Sequence, residues 1–125
     1  MHNYKELEIW KASKNFCTPI YKLTNKFPDV EKFDLVSQLR RACISVPSNS
    51  AEGSARSSDK DFVRFLEYSL GSCREIDTQL LVSADLEFIT INKIEILSKE
   101  LNRITVMINN FIKRLKSFHP NVFLS

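Results

Sequence analysis

Eight apolar side chains recur at alternating spacings of three and four residues through the last third of the chain. They are Ile94, Leu97, Leu101, Ile104, Ile108, Phe111, Leu115 and Phe118. This pattern lasts for more than three heptads and aligns the side chains along one face of an α-helix. Such a face is stable only when other helices cover it. The pattern therefore predicts a helix over about 91–118, with Thr90 as its N-cap, packed lengthwise in a bundle.

Three earlier segments carry apolar residues at the same spacings, and they predict helices over about 4–27, 33–55 and 58–86. Ser58 stands before the third segment with an acid three residues later, which is the pattern of a helix N-cap. Four long helices with short connections predict an all-α, antiparallel up-down-up-down four-helix bundle over residues 1–118. The remaining residues, 119–125, are predicted to form a C-terminal tail.

Two prolines lie inside the predicted helices. Pro19 and Pro47 each remove one backbone donor, which predicts a kink in the first helix and another in the second. At Pro47 the alternative is a break at which a new helix starts; the kinked continuous helix is favoured because the apolar face stays in register. Small residues on the two inner helices predict a close contact between them. They are Ala42, Asn49, Gly53, Ser69, Gly71, Ser72 and Cys73.

Composition excludes several classes of protein. A chain of 125 residues makes one domain, and two glycines with four prolines are too few for an all-β fold. A net charge of +3 is lower than expected of a dedicated nucleic-acid-binding protein. Because no stretch resembles a membrane span or a signal peptide, a cytoplasmic location without membrane contact is expected. Cys17, Cys43 and Cys73 lack metal-ligand spacing and are expected to be buried and reduced.

The motifs of common catalytic and cofactor sites are absent, including the P-loop, the dinucleotide fingerprint and the Glu-x-x-His pair of di-metal bundles. No cofactor, metal or catalytic residue is therefore predicted. Arg114 and His119 have the R-x4-H spacing of helical-bundle ribonucleases of the HEPN type. This is the weakest hypothesis, because His119 precedes a proline at the end of a helix.

Basic residues are the candidate nucleic-acid contacts, since they form a lysine stripe on the first helix and a row at the start of the third. They are Lys11, Lys14, Lys22, Lys26, Arg41, Arg56, Lys60 and Arg64. Such residues can contact phosphates. The alternative, which composition alone favours, is a solvated surface with the helix ion pairs Glu52–Arg56 and Asp61–Arg64.

Two further groups of residues have a predicted role. Polar side chains near the close contact predict a hydrogen-bonded network that sets helix register, with a small polar pocket as the alternative. Its members are Arg40, Asn49, Glu52, Glu75 and Gln79. A second apolar stripe on the first helix predicts either packing within the chain or a subunit interface. It consists of Trp10, Cys17 and Tyr21.

The segments LEIWKAS, SQLRRACISVPSNSAEGSARSSDKDFVRFL and GSCREIDTQL resemble the four-helix-bundle family of 23S rRNA intervening-sequence proteins, historically called S23 ribosomal proteins. The family is similar to the pentameric accessory protein of diversity-generating retroelements, which binds a reverse transcriptase and nucleic acid. The resemblance, which extends to about Phe118, implies a bundle that assembles as a ring, commonly a homopentamer, without enzyme activity. The positions that carry the family motif are Arg40, Arg41, Ser48, Asn49, Glu52, Gly53, Gly71, Ser72 and Gln79.

Two hypotheses about function follow. In the first, the protein is a non-enzymatic oligomeric bundle that associates with RNA or DNA through its basic residues. In the second, it is a structural or protein–protein adaptor module with no nucleic-acid role, and the apolar stripe is its partner surface. The first expects binding that weakens as salt rises, whereas the second expects association that is indifferent to salt.

Overall fold

The computed structural model describes residues 3–123, and within that range it contains four long α-helices and no β-strand. Helix α1 spans Glu8–Thr24, α2 spans Leu35–Ser54, α3 spans Asp59–Asp85 and α4 spans Ile91–Ser117. Each helix packs against two neighbours, in the cyclic order α1, α2, α3, α4. The four apolar faces meet in one core. The predicted all-α four-helix bundle is confirmed.

The first helix is shorter than the predicted 4–27. Leu7 has an extended backbone conformation, with φ −71° and ψ 127°, and separates α1 from a 3₁₀ turn over Tyr4–Glu6. At the other end α1 stops at Thr24, yet the ring of Phe27 still packs against Phe88 at a centroid distance of 5.5 Å. The apolar spacing overestimated the helix because Phe27 reaches the core from the connection.

Two other phenylalanines at predicted helix ends lie in solvent. Phe33 was expected at the start of the second helix, but α2 begins at Leu35 and Phe33 is 90% exposed. Phe118 was expected to close the apolar face of the last helix, but α4 ends one residue earlier and Phe118 is 64% exposed. The predicted face is confirmed as far as Leu115, although Phe111 is only half-buried.

Both predicted N-caps are confirmed. The hydroxyl of Ser58 accepts a hydrogen bond from the backbone N–H of Asp61 at 3.2 Å, at the start of α3. The hydroxyl of Thr90 accepts one from the backbone N–H of Lys93 at 3.3 Å, at the start of α4. These bonds satisfy donors that a helix start leaves unpaired, and they determine where each helix begins.

Both prolines lie inside continuous helices. α1 runs through Pro19 and α2 runs through Pro47. The favoured interpretation of Pro47, a continuous helix instead of a break, is confirmed. The bends at the two prolines stay predictions. Pro47 is buried, so its ring adds apolar contact where its missing N–H removes one helix bond.

The inner helices α2 and α3 approach each other closely where side chains are small. The hydroxyl of Ser69 on α3 donates to the backbone carbonyl of Val46 on α2 at 2.9 Å. A Cβ added to Gly53 would lie 2.8 Å from the Cδ1 atom of Phe62, so only glycine fits there without movement. The predicted close contact is therefore confirmed. Its extension to Gly71 is wrong, because a Cβ there would meet no atom within 4 Å.

No helix within residues 3–123 combines the length and apolar character that crossing a membrane requires.

Candidate nucleic-acid interface

The turn between α2 and α3 brings arginine side chains next to an aromatic ring. α2 ends at Ser54 and α3 begins at Asp59, so Arg56 lies in the turn and Arg64 in the second turn of α3. The guanidinium carbon of Arg56 lies 4.4 Å from the centroid of the Phe65 ring, and that of Arg64 lies 5.3 Å from the same centroid. Two cations thus share one ring, an arrangement favoured by the negative potential of an aromatic face.

Packing within the bundle holds the Phe65 ring in place. Its side chain is 9% exposed, and its ring meets the ring of Tyr68 edge-on with centroids 5.5 Å apart. A Cβ at Gly53 would come within 2.9 Å of the Cβ atom of Phe65. The absence of a side chain at Gly53 therefore allows Phe65 to seat against α2, which in turn positions the two arginines.

The C-terminal end of α4 joins this region. The rings of Phe62 and Phe111 lie 5.4 Å apart, and the guanidinium of Arg114 lies 5.0 Å from the Phe111 centroid. A ring nitrogen of His119 lies 2.9 Å from a carboxylate oxygen of Asp59 at the start of α3. These contacts bring the last turn of α4 to the first turn of α3. We call this part of the bundle the basic end, formed by Arg56, Lys60, Arg64, Arg114 and Lys116.

The ion pairs predicted as the alternative are seen only in part. Arg64 lies 3.5 Å from Asp61, and both side chains are about half exposed, so this pair contributes little to stability. The predicted pair of Glu52 with Arg56 is wrong. α2 ends before Arg56, so the two residues are not one helical turn apart, and Arg56 lies over Phe65 instead.

The lysine stripe on α1 is not a uniform surface. Lys11 pairs with Glu8 at 3.4 Å, and the Lys14 amine lies 5.9 Å from the centroid of the Trp10 ring. Lys22 and Lys26 are exposed but lie at the end of α1 that is remote from the basic end. The sequence-predicted lysines of α1 therefore do not gather into one site.

Arg41 faces a polar cleft between α2 and α3 of about 530 Å³, which Gln79 and Glu75 also line. The amide nitrogen of Gln79 approaches the side-chain oxygen of Gln38 at 3.5 Å. The side-chain oxygen of Gln79 is buried without a partner among residues 3–123. The cleft includes Glu75 and Gln79 of the small polar pocket that the sequence left open, but Asn49 and Glu52 do not line it.

The predicted polar network around Arg40 is wrong. Arg40 donates to the hydroxyl of Thr24 at 2.9 Å, to the side chain of Asn25 at 2.8 Å and to the backbone carbonyl of Tyr21 at 3.2 Å. All three partners belong to α1 or its end, because Arg40 leaves α2 on the side that faces α1. Asn49 donates to the carbonyl of Ser45 within its own helix. The other predicted members, Glu52 and Glu75, are exposed.

The apolar stripe of α1 packs partly within the chain. The Tyr21 ring lies 4.5 Å from the guanidinium carbon of Arg40. Cys17 contacts Cys43 of α2. Trp10 lines a groove of about 410 Å³ between α1 and α2, beside the half-exposed Ile44. All three residues thus have contacts within the chain, since the Trp10 ring also packs edge-on against Tyr4 with centroids 5.2 Å apart. Trp10 and Cys17 in addition line the open groove, so a subunit interface stays a prediction for that part of the stripe.

Two of the three cysteines meet between α1 and α2. The Sγ atoms of Cys17 and Cys43 lie 3.3 Å apart. The hydrogen bond from the Cys43 thiol, with help from the charge of Lys14, lowers the pKa of Cys17, although partial burial opposes this. The same bond and burial raise the pKa of Cys43, and burial raises the pKa of Cys73. All three are free thiols, as predicted; the expected burial is wrong for Cys17, which is half-buried.

Sequence reasoning missed Phe65 and Arg114 as parts of the basic end. Phe65 does not belong to the apolar residues whose spacing predicted the third helix, and its role depends on the conformation of the preceding turn. Arg114 could have been predicted from the sequence, because antiparallel neighbours place the last turn of α4 beside the first turn of α3. The spacing of Arg114 and His119 did suggest a ribonuclease site, but the side chains have different partners, Phe111 and Asp59.

Comparison with known proteins agrees with this fold. The model of the family described as 23S rRNA-intervening sequence protein matches residues 5–110. A solved structure from Bacteroides thetaiotaomicron, of a protein with unknown function from the S23 ribosomal protein family, has 24% sequence identity and a TM-score of 0.77. The similarity covers 84% of this chain and 95% of that one. A search of curated proteins found no match.

Proposed function

The chain belongs to the family of 23S rRNA-intervening sequence proteins, and on that premise we propose that it is a non-enzymatic bundle protein that binds RNA through its basic end. The observation that carries this proposal is the placement of Arg56 and Arg64 over the single ring of Phe65. A guanidinium held against an aromatic ring keeps its charge and loses less conformational freedom when it binds a phosphate. Lys60 in the first turn of α3 and Lys116 in the last turn of α4 are exposed and add positive charge at this end of the bundle, beside the carboxylates of Asp59 and Asp61.

We also propose that the protein works in the cytoplasm as a homo-oligomer, with a homopentamer as the expected assembly. A single chain carries a net charge of only +3, whereas five chains would carry +15. A ring would therefore present several basic ends to one polyanion. Repeated weak phosphate contacts on a single RNA raise the overall affinity through effective concentration.

The test is a titration of labelled RNA, followed by fluorescence anisotropy at about 50 mM and about 200 mM salt. The double variant Arg56→Ala/Arg64→Ala should bind more weakly, and the slope of log affinity against log salt should fall by about 1.5, because two phosphate contacts are lost. The matched control is Lys93→Ala/Lys99→Ala, which removes the same charge from exposed positions in the N-terminal half of α4.

Equal losses in the two double variants would contradict a local site and indicate attraction by net charge alone. Absence of RNA binding at the lower salt would reject the nucleic-acid role altogether. A DNA strand of the same sequence, run in parallel, tests whether the site prefers RNA. Light scattering on the same samples measures the assembly state.

A protein–protein adaptor role is the second candidate, and the groove beside Trp10 favours it. This groove of about 410 Å³ is lined mainly by apolar side chains, including Ile44 and Pro47. An apolar surface open to solvent suits contact with a protein surface or a second copy. The variant Trp10→Ala should then weaken association equally at both salt concentrations, because burial of apolar surface depends little on ionic strength at these concentrations.

A further inference from the structure

Cys17 of α1 and Cys43 of α2 form a pair of thiols in direct contact. Their Sγ atoms lie 3.3 Å apart across the contact of α1 with α2. A disulfide needs about 2.05 Å, so the two sulfur atoms are short of bonding distance by about 1.2 Å, which small side-chain rotations can supply. Cys73 lies on α3, near Thr105 of α4, and it also interacts electrostatically with Cys43. The hydrogen bond of the Cys43 thiol, however, goes to Cys17.

The two thiols differ in access to solvent. Cys17 is half-buried and lines the groove that also contains Trp10 and Lys14. Cys43 is 1% exposed and lies beneath it. The Cys43 thiol donates its hydrogen bond to the sulfur of Cys17, which favours the thiolate form of Cys17, and the lowered pKa of Cys17 agrees with this direction. A small oxidant in solvent therefore meets the more reactive sulfur first.

We infer that Cys17 and Cys43 are a redox-active dithiol that hydrogen peroxide oxidises to a disulfide joining α1 to α2. In the first step the Cys17 thiolate attacks one peroxide oxygen, an S–O bond forms, the O–O bond breaks, and hydroxide leaves and takes up a proton. In the second step the Cys43 sulfur attacks the sulfenic sulfur of Cys17 and the S–O bond breaks. The proton of Cys43 leaves with the hydroxyl group as the second water. Two thiols lose two electrons in total, and one peroxide is reduced to two waters.

The experiment treats the reduced full-length protein with hydrogen peroxide, unfolds it, labels free thiols with N-ethylmaleimide and measures the intact mass. The reduced chain should take up three labels, one for each cysteine in the sequence, and the oxidised chain only one. Trypsin should release the peptide 15–22 joined to the peptide 42–56, while the peptide 65–74 carries the remaining label. Dithiothreitol should restore all three labels.

The variant Cys73→Ser is the matched control and should still form the linked pair of peptides. Cys43→Ser should instead accumulate sulfenic acid at Cys17, which dimedone traps. The labelling and peptide mapping of the unmodified protein are sufficient to test the inference, so the test does not depend on the folding of any variant. Oxidation that stops at sulfinic acid on Cys17, a disulfide between two chains, or a linked peptide that contains Cys73 would each overturn it.

Discussion

The hydroxyl of Ser69 on α3 donates a 2.9 Å hydrogen bond to the backbone carbonyl of Val46 on α2. Val46 stands directly before Pro47, and its carbonyl also accepts a bond from the hydroxyl of Ser50 at 3.0 Å. Ser69 and Ser50 are both fully buried. A serine hydroxyl is short, so it can bond from α3 to the backbone of α2 only when the two helices lie close together. This bond therefore stabilises the close packing of the inner helices.

Replacing Ser69 with Ala should lower the free energy of unfolding by about 1 kcal/mol, because its buried bond to Val46 and its longer, weaker contact with the Ser50 hydroxyl at 3.4 Å are both lost. The cost stays moderate because the bond from Ser50 still satisfies the Val46 carbonyl. Urea unfolding followed by circular dichroism, at one fixed protein concentration, measures it. Ser48→Ala, at an exposed position of the same helix pair, is the control and should change stability by less than about 0.5 kcal/mol. Equal effects at the two positions would show that the bond across the contact is unimportant.

Replacing each of the two glycines of the chain with alanine should change the free energy of unfolding in opposite directions. At Gly53 the new Cβ would lie 2.8 Å from Phe62 and 2.9 Å from the Cβ atom of Phe65, so the helices must move apart. Overpacking of this kind costs about 1–3 kcal/mol, which exceeds the gain in helix propensity of about 1 kcal/mol. At Gly71 the Cβ meets nothing within 4 Å, and only the gain remains.

Urea unfolding of Gly53→Ala and Gly71→Ala checks this pair of expectations. Gly53→Ala should lower the unfolding free energy, and Gly71→Ala should raise it by about 0.5–1 kcal/mol. A stabilising Gly53→Ala would mean that α2 and α3 have more freedom to separate than their contact suggests.

Arg40 and Arg41 are neighbours on α2, but their replacement should change the free energy of unfolding by different amounts. Arg40 makes three hydrogen bonds to α1 and its end, and its guanidinium lies over the Tyr21 ring, so Arg40→Ala should lower the unfolding free energy by about 1.5 kcal/mol. Arg41 is exposed at the polar cleft, and Arg41→Ala should change stability by less than about 0.5 kcal/mol. Thermal and urea unfolding of both variants compare them directly. If Arg41→Ala proved the more destabilising, the assignment of Arg40 to the α1–α2 contact would be untenable.

Apolar spacing was sufficient to predict the bundle because each helix buries one continuous stripe, and the period of that stripe is a property of the sequence alone. The N-caps at Ser58 and Thr90 were predictable for the same reason, since a cap bonds to a backbone group three residues away. Helix ends were less predictable. Phe27 contributes to the core from outside any helix, and Phe118 follows the apolar period but lies in solvent.

Side-chain partners across helices could not be predicted in this way. Arg40 could reach α1 or α3, and the choice depends on the rotation of α2 about its axis. Arg56 follows the end of α2, so its place over Phe65 depends on a turn that periodicity does not describe. Cys17 and Cys43 are 26 positions apart, and only the register of α1 against α2 brings their sulfur atoms to 3.3 Å.

The Phe65 ring itself provides the most specific test of the basic end. Phe65→Leu keeps both Arg56 and Arg64, so the charge of the site is unchanged, but each guanidinium loses a cation–π contact worth about 0.5–1 kcal/mol. RNA affinity should fall about two- to fivefold, because the free arginines must then be ordered upon binding. The salt dependence should stay the same, because the number of phosphate contacts is unchanged. Anisotropy titrations at two salt concentrations measure both quantities.

Phe88→Leu, at the opposite end of the bundle beside Phe27, is the matched control and should leave both the RNA affinity and its salt dependence unchanged. An unaltered affinity in Phe65→Leu would mean that the ring does not preorganise the arginines for RNA.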